Sequence, residues 1–389
     1  MLVSQVRRPR TGHVDALDGL RAVAAIAVVV LHVSDMTGML NQETLFWRVM
    51  AHGGVGVPIF FVLSGLLLFR PWVRSALTGS DAPSVNAFYW KRGLRILPTY
   101  WVVMIVAFVS LDHEHLGSVR RWVELPTLTY VYDPTWSGKA PPGLGPTWSL
   151  CTEVSFYLLL PFLAWGLCGF ARRGPVAPRL LYGLGAVMTF SLAWTFFVRV
   201  YASIDLQFFN ENLLPRWLLC FALGMALAVL CEESHRAEGA IRRWTTMIGS
   251  VPGICWLVAA VALVLVSTPL ATPLPGIPHQ TVIQYLVRTT LYAVVAVALI
   301  APVAFRPDHP FTQQVLGNRP MAWLGSISYG IFLWHRIFLD GWYALTGRSI
   351  WQGDFLLVLT VTLTGTLIAA PLSRHLIELP AQRFKNIVR

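Results

Sequence analysis

Charge is what this 389-residue chain has least of: 13% of its residues are Asp, Glu, Lys or Arg, against 55% hydrophobic. Soluble globular chains carry about 25% charged residues, and a mean hydropathy of +0.59 points the same way, so a soluble enzyme is excluded in favour of a polytopic membrane protein. The formal charge of +11 has no basic run interleaved with a binding motif, which argues against nucleic acid as a partner. Five cysteines, at 151, 168, 220, 231 and 255, show no C-x-x-C spacing and no histidine in a ligand pattern. Packing is their expected role, and no metal site is expected. Neither an internal repeat nor a Gly/Ser linker divides the chain. It reads as one domain over 1–389, with short tails at 1–17 and 378–389. The first apolar run follows Arg7, Arg8 and Arg10 as a signal peptide would. It contains Arg21 and His32 and lacks a small-residue cleavage site, so it is expected to stay as a helix.

Ten apolar segments approach the length of a membrane span, near 19–36, 55–70, 96–111, 147–168, 180–201, 213–231, 252–268, 282–305, 324–343 and 354–377. With the amino terminus inside, twenty Lys and Arg fall in cytoplasmic segments and five in outer loops. That bias predicts ten helices with both termini cytoplasmic. The longest outer loop, 112–147, suits a lid or an acceptor-binding rim as well as it suits an ordinary connection.

Within this apolar frame the polar residues stand out. Arg21 and His32 are eleven residues apart in DALDGLRAVAAIAVVVLH, a spacing that puts both on one helical stripe, ~16 Å apart along the axis. Ionisable groups in a span are costly unless they face protein or water, so the pair is a functional candidate. Arg92 and Arg95, one turn apart on the cytoplasmic side, could fork onto phosphate oxygens, although a topogenic basic loop has the same pattern. Glu153, a turn or two into the fourth span, suits an acid/base group, a partner for a histidine, or a salt bridge between helices. Asp35, Ser328, Tyr329 and His335 are further candidates to line the cavity that His32 faces; Ser328 and His335, seven apart, share a face, and a purely structural bonding role fits them too. The small residues of GGVGVPIFFVLSGLLLF, Ser64 among them, suit close helix packing.

Six of these segments, in order, resemble the membrane-bound acyltransferase-3 family: LDGLRAVAAIAVVVLH, GVPIFFVLSGLLL, FYWKRGLRILPTYW, WSLCTEVSFYLLLP, LGSISYGIFLWH and IELP. The family's R-x10-H motif falls on Arg21 and His32, its RxxR motif on Arg92 and Arg95, and its glutamate on Glu153. Members acylate hydroxyls of surface polysaccharides, O-antigens, glycolipids and macrolides. The resemblance therefore implies a multi-pass protein of a bacterial plasma membrane with no tightly bound cofactor. Acyl-coenzyme A, with acetyl the common acyl group, would enter from the cytoplasm onto Arg92 and Arg95. His32 would be the base on an acceptor hydroxyl, Arg21 would steady the thioester oxyanion or the cofactor, and Glu153 would orient the imidazole. A covalent acyl-histidine fits the same residues. About a dozen residues follow the last helix, as in members without an added esterase-like domain. The alternative function is a proton-coupled transporter or flippase using the same polar residues as a relay; it would show two similar halves, and none are apparent.

Overall fold

The structure, a computed structural model, describes residues 14–42, 44–133, 140–236, 238–273 and 280–388. Arg7, Arg8, Arg10, Lys139 and Arg389 lie outside the described residues. Twelve helices of eight residues or more account for the bundle. They are α1 (Asp15–Met36), α2 (Gly56–Thr78), α3 (Val85–Ser110), α4 (Trp148–Ala171), α5 (Val176–Tyr201), α6 (Leu214–Ser234), α7 (Ala240–Ser250), α8 (Pro252–Val266), α9 (Val282–Phe305), α10 (Arg319–Ser326), α11 (Ser328–Thr346) and α12 (Phe355–Ser373). Helices are what an apolar medium demands, because each backbone donor must find its acceptor within the segment. No strand occurs among the described residues.

Eight helices among the described residues are long and apolar enough to cross a membrane, and a ninth crossing results if α7 and α8, bent by 78° at Val251, count as one. The ninth expected span, 324–343, is instead broken at Ile327 into α10 and α11. Its longer half carries His335, Arg336 and Asp340, which keep it from being apolar enough. The tail expected from 378 onward continues as helical turns to Asn386.

Small residues set the helix spacing. A Cβ on Gly65 of α2 would strike the carbonyl oxygen of Phe221, and one on Gly224 of α6 would strike that of Val62, so the two backbones touch. This is the close approach expected of small residues in lipid. In the same way Gly325 of α10 lies against the backbone carbonyl of Asp18. That contact draws α10 and the start of α11 onto the first turn of α1, and with it Arg319, Ser328 and Tyr329 towards Arg21.

The 112–147 loop is tied down at its described part. Asp340 of α11 accepts the backbone N–H of Gly143 at 2.7 Å and pairs with Arg336 at 2.7 Å. Gly143 has φ +79°, and a side chain there would meet Ile337, Leu111 and Ala107.

Candidate active site

A cavity of about 1480 Å³ opens among α1, α2, α3, α4, α10, α11 and the end of α12. Five arginines line it, Arg21, Arg92, Arg95, Arg319 and Arg374, against three carboxylates, Asp15, Asp18 and Glu153. Arg92 and Arg95 come from one face of α3, three residues apart, as a helix requires. Arg374 arrives from a one-turn π-helical segment, Arg374–Glu378, that continues α12. Such turns re-aim side chains and are frequent at functional sites. Its guanidinium donates to the carbonyl of Ser326.

Arg21 is half-buried and held by Asp18 at 2.7 Å. The Nε of Arg92 is buried with no hydrogen-bond partner among the described residues. A buried donor left without a partner is costly, and a guanidinium facing open space offers its fork to an anion.

Glu153 lines the cavity too. One of its carboxylate oxygens accepts from Ser64 at 2.5 Å and from Tyr157 at 2.5 Å. It thus joins α2 to α4, and its partners are these two hydroxyls instead of the imidazole expected from the sequence. Tyr329 lines the cavity while donating to the carbonyl of Ile96 at 2.8 Å, and Ser328 lines it too.

The histidines are elsewhere. His32 Nδ1 stands 3.0 Å from His335 Nε2, the rings within 16° of parallel with centroids 5.2 Å apart. His335 is fully buried, and its Nδ1 lies 3.1 Å from the carbonyl oxygen of Ile331 one turn back. Neither imidazole lines the cavity. Phe60 and Phe332 line the cavity, their rings meeting edge-on at 6.3 Å, and the Phe332 ring is 6.2 Å from that of His335. Phe332 therefore borders the cavity on one side and the imidazole pair on the other. Asp35, one turn past His32, is exposed and does not line the cavity.

Of the residues singled out from sequence, six share the cavity: Arg21, Arg92, Arg95, Glu153, Ser328 and Tyr329. His32 and His335 form a separate pair one aromatic layer away, and Asp35 joins neither group. Sequence reasoning missed Arg319 and Arg374, which read as topogenic charge, and Ser64, which read as a packing residue. It also missed the Phe60–Phe332 layer, since nothing in the pattern separates these rings from lipid-facing ones.

Comparison with known proteins fits this arrangement. The chain is 24% identical to the peptidoglycan O-acetyltransferase OatA of Listeria monocytogenes over 95% of its own length and 56% of that protein's. It is 30% identical to the putative peptidoglycan O-acetyltransferase YrhL of Bacillus subtilis, over 97% of the chain and 56% of the relative. With nodulation protein 10 of Rhizobium leguminosarum it shares 24% identity over 97% of the chain and 95% of the relative. The chain thus spans a little over half the length of the first two relatives. No solved structure matches it. A family described as an acyltransferase domain matches residues 14–374, nearly the whole chain, and to that family, acyltransferase-3, the chain belongs.

Proposed function

We propose that the chain is an integral-membrane O-acyltransferase that moves an acyl group, ordinarily acetyl, from acyl-coenzyme A to a hydroxyl of a carbohydrate, glycolipid or glycosylated metabolite. The observation that carries this reading is the cavity of about 1480 Å³, lined by five arginines, with an imidazole pair on the far side of the Phe332 ring.

The positive-inside bias puts the arginine-bearing end in the cytoplasm of a bacterial cell. Phosphates of the donor would take the forks of Arg92 and Arg95, with Arg319 and Arg374 adding charge at the mouth. The pantetheine arm is a chain of about a dozen bonds and spans roughly 14 Å when extended. That length compares with the ~16 Å from Arg21 to His32 along α1. Arg21 is accordingly assigned to the donor's phosphates or arm, since it lies too far from His32 to steady an oxyanion formed there.

The thioester reaches His32 when Phe332 gives way. Neutral His32 takes the proton of the acceptor hydroxyl as its oxygen attacks the thioester carbonyl. The C–O bond forms, the C–S bond breaks, and the proton passes to the departing thiolate. Base assistance of this kind is worth about 10² to 10⁴ in rate. Glu153 serves the donor side, where its bond from Ser64 ties α2 to α4 beside the arm and Tyr157 of α4 fixes the carboxylate. Two of the relatives are named for peptidoglycan, which supports a sugar hydroxyl as acceptor, presented from the 112–147 rim.

The test is direct. Purified protein in lipid nanodiscs, given acetyl-coenzyme A, is expected to release free coenzyme A slowly without acceptor and faster with carbohydrate from a bacterial envelope. A transporter would leave the thioester intact, and that result would remove the enzymatic reading.

A further inference from the structure

We infer that His335 is a positioning residue that fixes the tautomer of His32, an inference that rests on the reading of His32 as the base. Two heavy-atom contacts decide it. The carbonyl oxygen of Ile331, 3.1 Å from His335 Nδ1, can only accept, so that nitrogen carries its hydrogen. A neutral imidazole has one N–H, which leaves His335 Nε2 as a lone pair. That lone pair sits 3.0 Å from His32 Nδ1, and the contact is a hydrogen bond only if His32 Nδ1 donates. The single hydrogen of neutral His32 is thereby placed on Nδ1, and its Nε2 is left free to accept a proton.

Which ring nitrogen of a histidine can work as a base is decided by what the other one is bonded to. Here the deciding partner is a second imidazole, itself oriented by a backbone carbonyl four residues back on α11. Ile331 has a second lone pair to offer, because a helical carbonyl uses only one for its own ladder. His335 is fully buried, and the two rings are within 16° of parallel with centroids 5.2 Å apart, so the two nitrogens face each other edge to edge, as an in-plane hydrogen bond requires. The relay is therefore anchored to main chain at one end and ends at an open acceptor at the other.

The proton balance is simple. The acceptor hydroxyl gives its hydrogen to His32 Nε2, which passes it to the leaving thiolate. His335 keeps its own hydrogen throughout, and its lone pair holds the doubly protonated His32 in place between the two transfers. His335 touches no substrate. Replacing it frees His32 to turn or to adopt the other tautomer, which lowers turnover without loosening the donor.

Coenzyme A release from acetyl-coenzyme A is measured in nanodiscs for the wild type, His335→Leu, His335→Gln and His32→Ala. Gln places an accepting oxygen near where Nε2 stood, and Leu places none. His335→Leu is expected to lower kcat by about 10²-fold or more with KM for acetyl-coenzyme A nearly unchanged, while His335→Gln recovers at least part of that loss. Equal loss in Leu and Gln, or a Leu variant with wild-type kcat, overturns the inference. Wild-type turnover in His32→Ala would instead overturn the reading of His32 as base, so the two failures are separable. Solid-state NMR of [15N]histidine-labelled wild type, with the His32 signals assigned by their loss in His32→Gln, supplies a readout free of turnover. Protonated Nδ1 with bare Nε2 at His32 is expected, and the reverse would refute it.

Discussion

Two arginine clusters at opposite ends of the bundle use the same side chains to different ends. At one, Glu211 pairs with both Arg199 and Arg216, the Arg199 guanidinium lies 3.6 Å from the Tyr285 ring centre, and Arg216 stacks on Trp217 at 4.4 Å. The space left is about 10 Å³, no more than a water's worth. At the other, five arginines line about 1480 Å³. An unsatisfied donor does not distinguish the two, since Arg216 Nε and Arg92 Nε both lack a hydrogen-bond partner among the described residues. Space does. Arg216 is filled in by the aromatic rings of Trp217 and Tyr285, whereas Arg92 faces a void that a ligand's phosphate can enter. The first cluster staples α5, α6 and α9 together; the second encloses open space.

The largest effect is expected from His32→Ala, which should lower acyl transfer by about 10² to 10⁴ while the protein inserts and melts as the wild type does. Transfer assays beside a thermal-shift measurement decide it, and near-normal transfer would disprove the assignment of the base.

A middle-sized effect should follow from Glu211→Gln. Removing one member of a mostly buried cluster strands two arginines, at roughly 2 kcal/mol once its partial exposure is discounted. The melting midpoint in nanodiscs should fall while acetyl-coenzyme A affinity holds. Lost affinity at an unchanged midpoint would make this end part of the site after all.

The smallest effect is on acid sensitivity. Burial alone would push the Glu211 carboxyl upward, but the charges of Arg216 and Arg199 outweigh it and hold the group below its ordinary value. A depressed carboxyl stabilises the native state fully above the ordinary value of about 4.3 and loses that contribution as pH falls through the native pKa. The difference in melting midpoint between wild type and Glu211→Gln should accordingly shrink as the pH is lowered below about 4. A constant difference would mean that Glu211 is not charged in the fold.

Much of this was legible in the sequence, and what was not shares one physical cause. The period of a helix determines which residues share a stripe, so Arg92 with Arg95 could be read directly, as could the apolar lengths of the spans. Which stripes face one another is decided by packing between segments far apart in the chain. His32 and His335 are 303 residues apart, and no periodicity links them. Glu153 could be recognised as anomalous in a span, but its partners Ser64 and Tyr157 could not be told from packing residues. Arg319 and Arg374 looked like the cytoplasmic charge that orients any membrane protein. Only the contact of Gly325 with the start of α1, and the π-helical turn after α12, draw them to the cavity.

Binding of acyl-coenzyme A by the arginine-lined cavity is tested by equilibrium binding of radiolabelled acetyl-coenzyme A to the nanodisc-embedded protein. Arg92→Gln with Arg95→Gln should weaken binding by about tenfold or more, as the loss of charge-assisted contacts implies, with the melting midpoint unchanged. Unaltered affinity in a folded double variant would contradict the account.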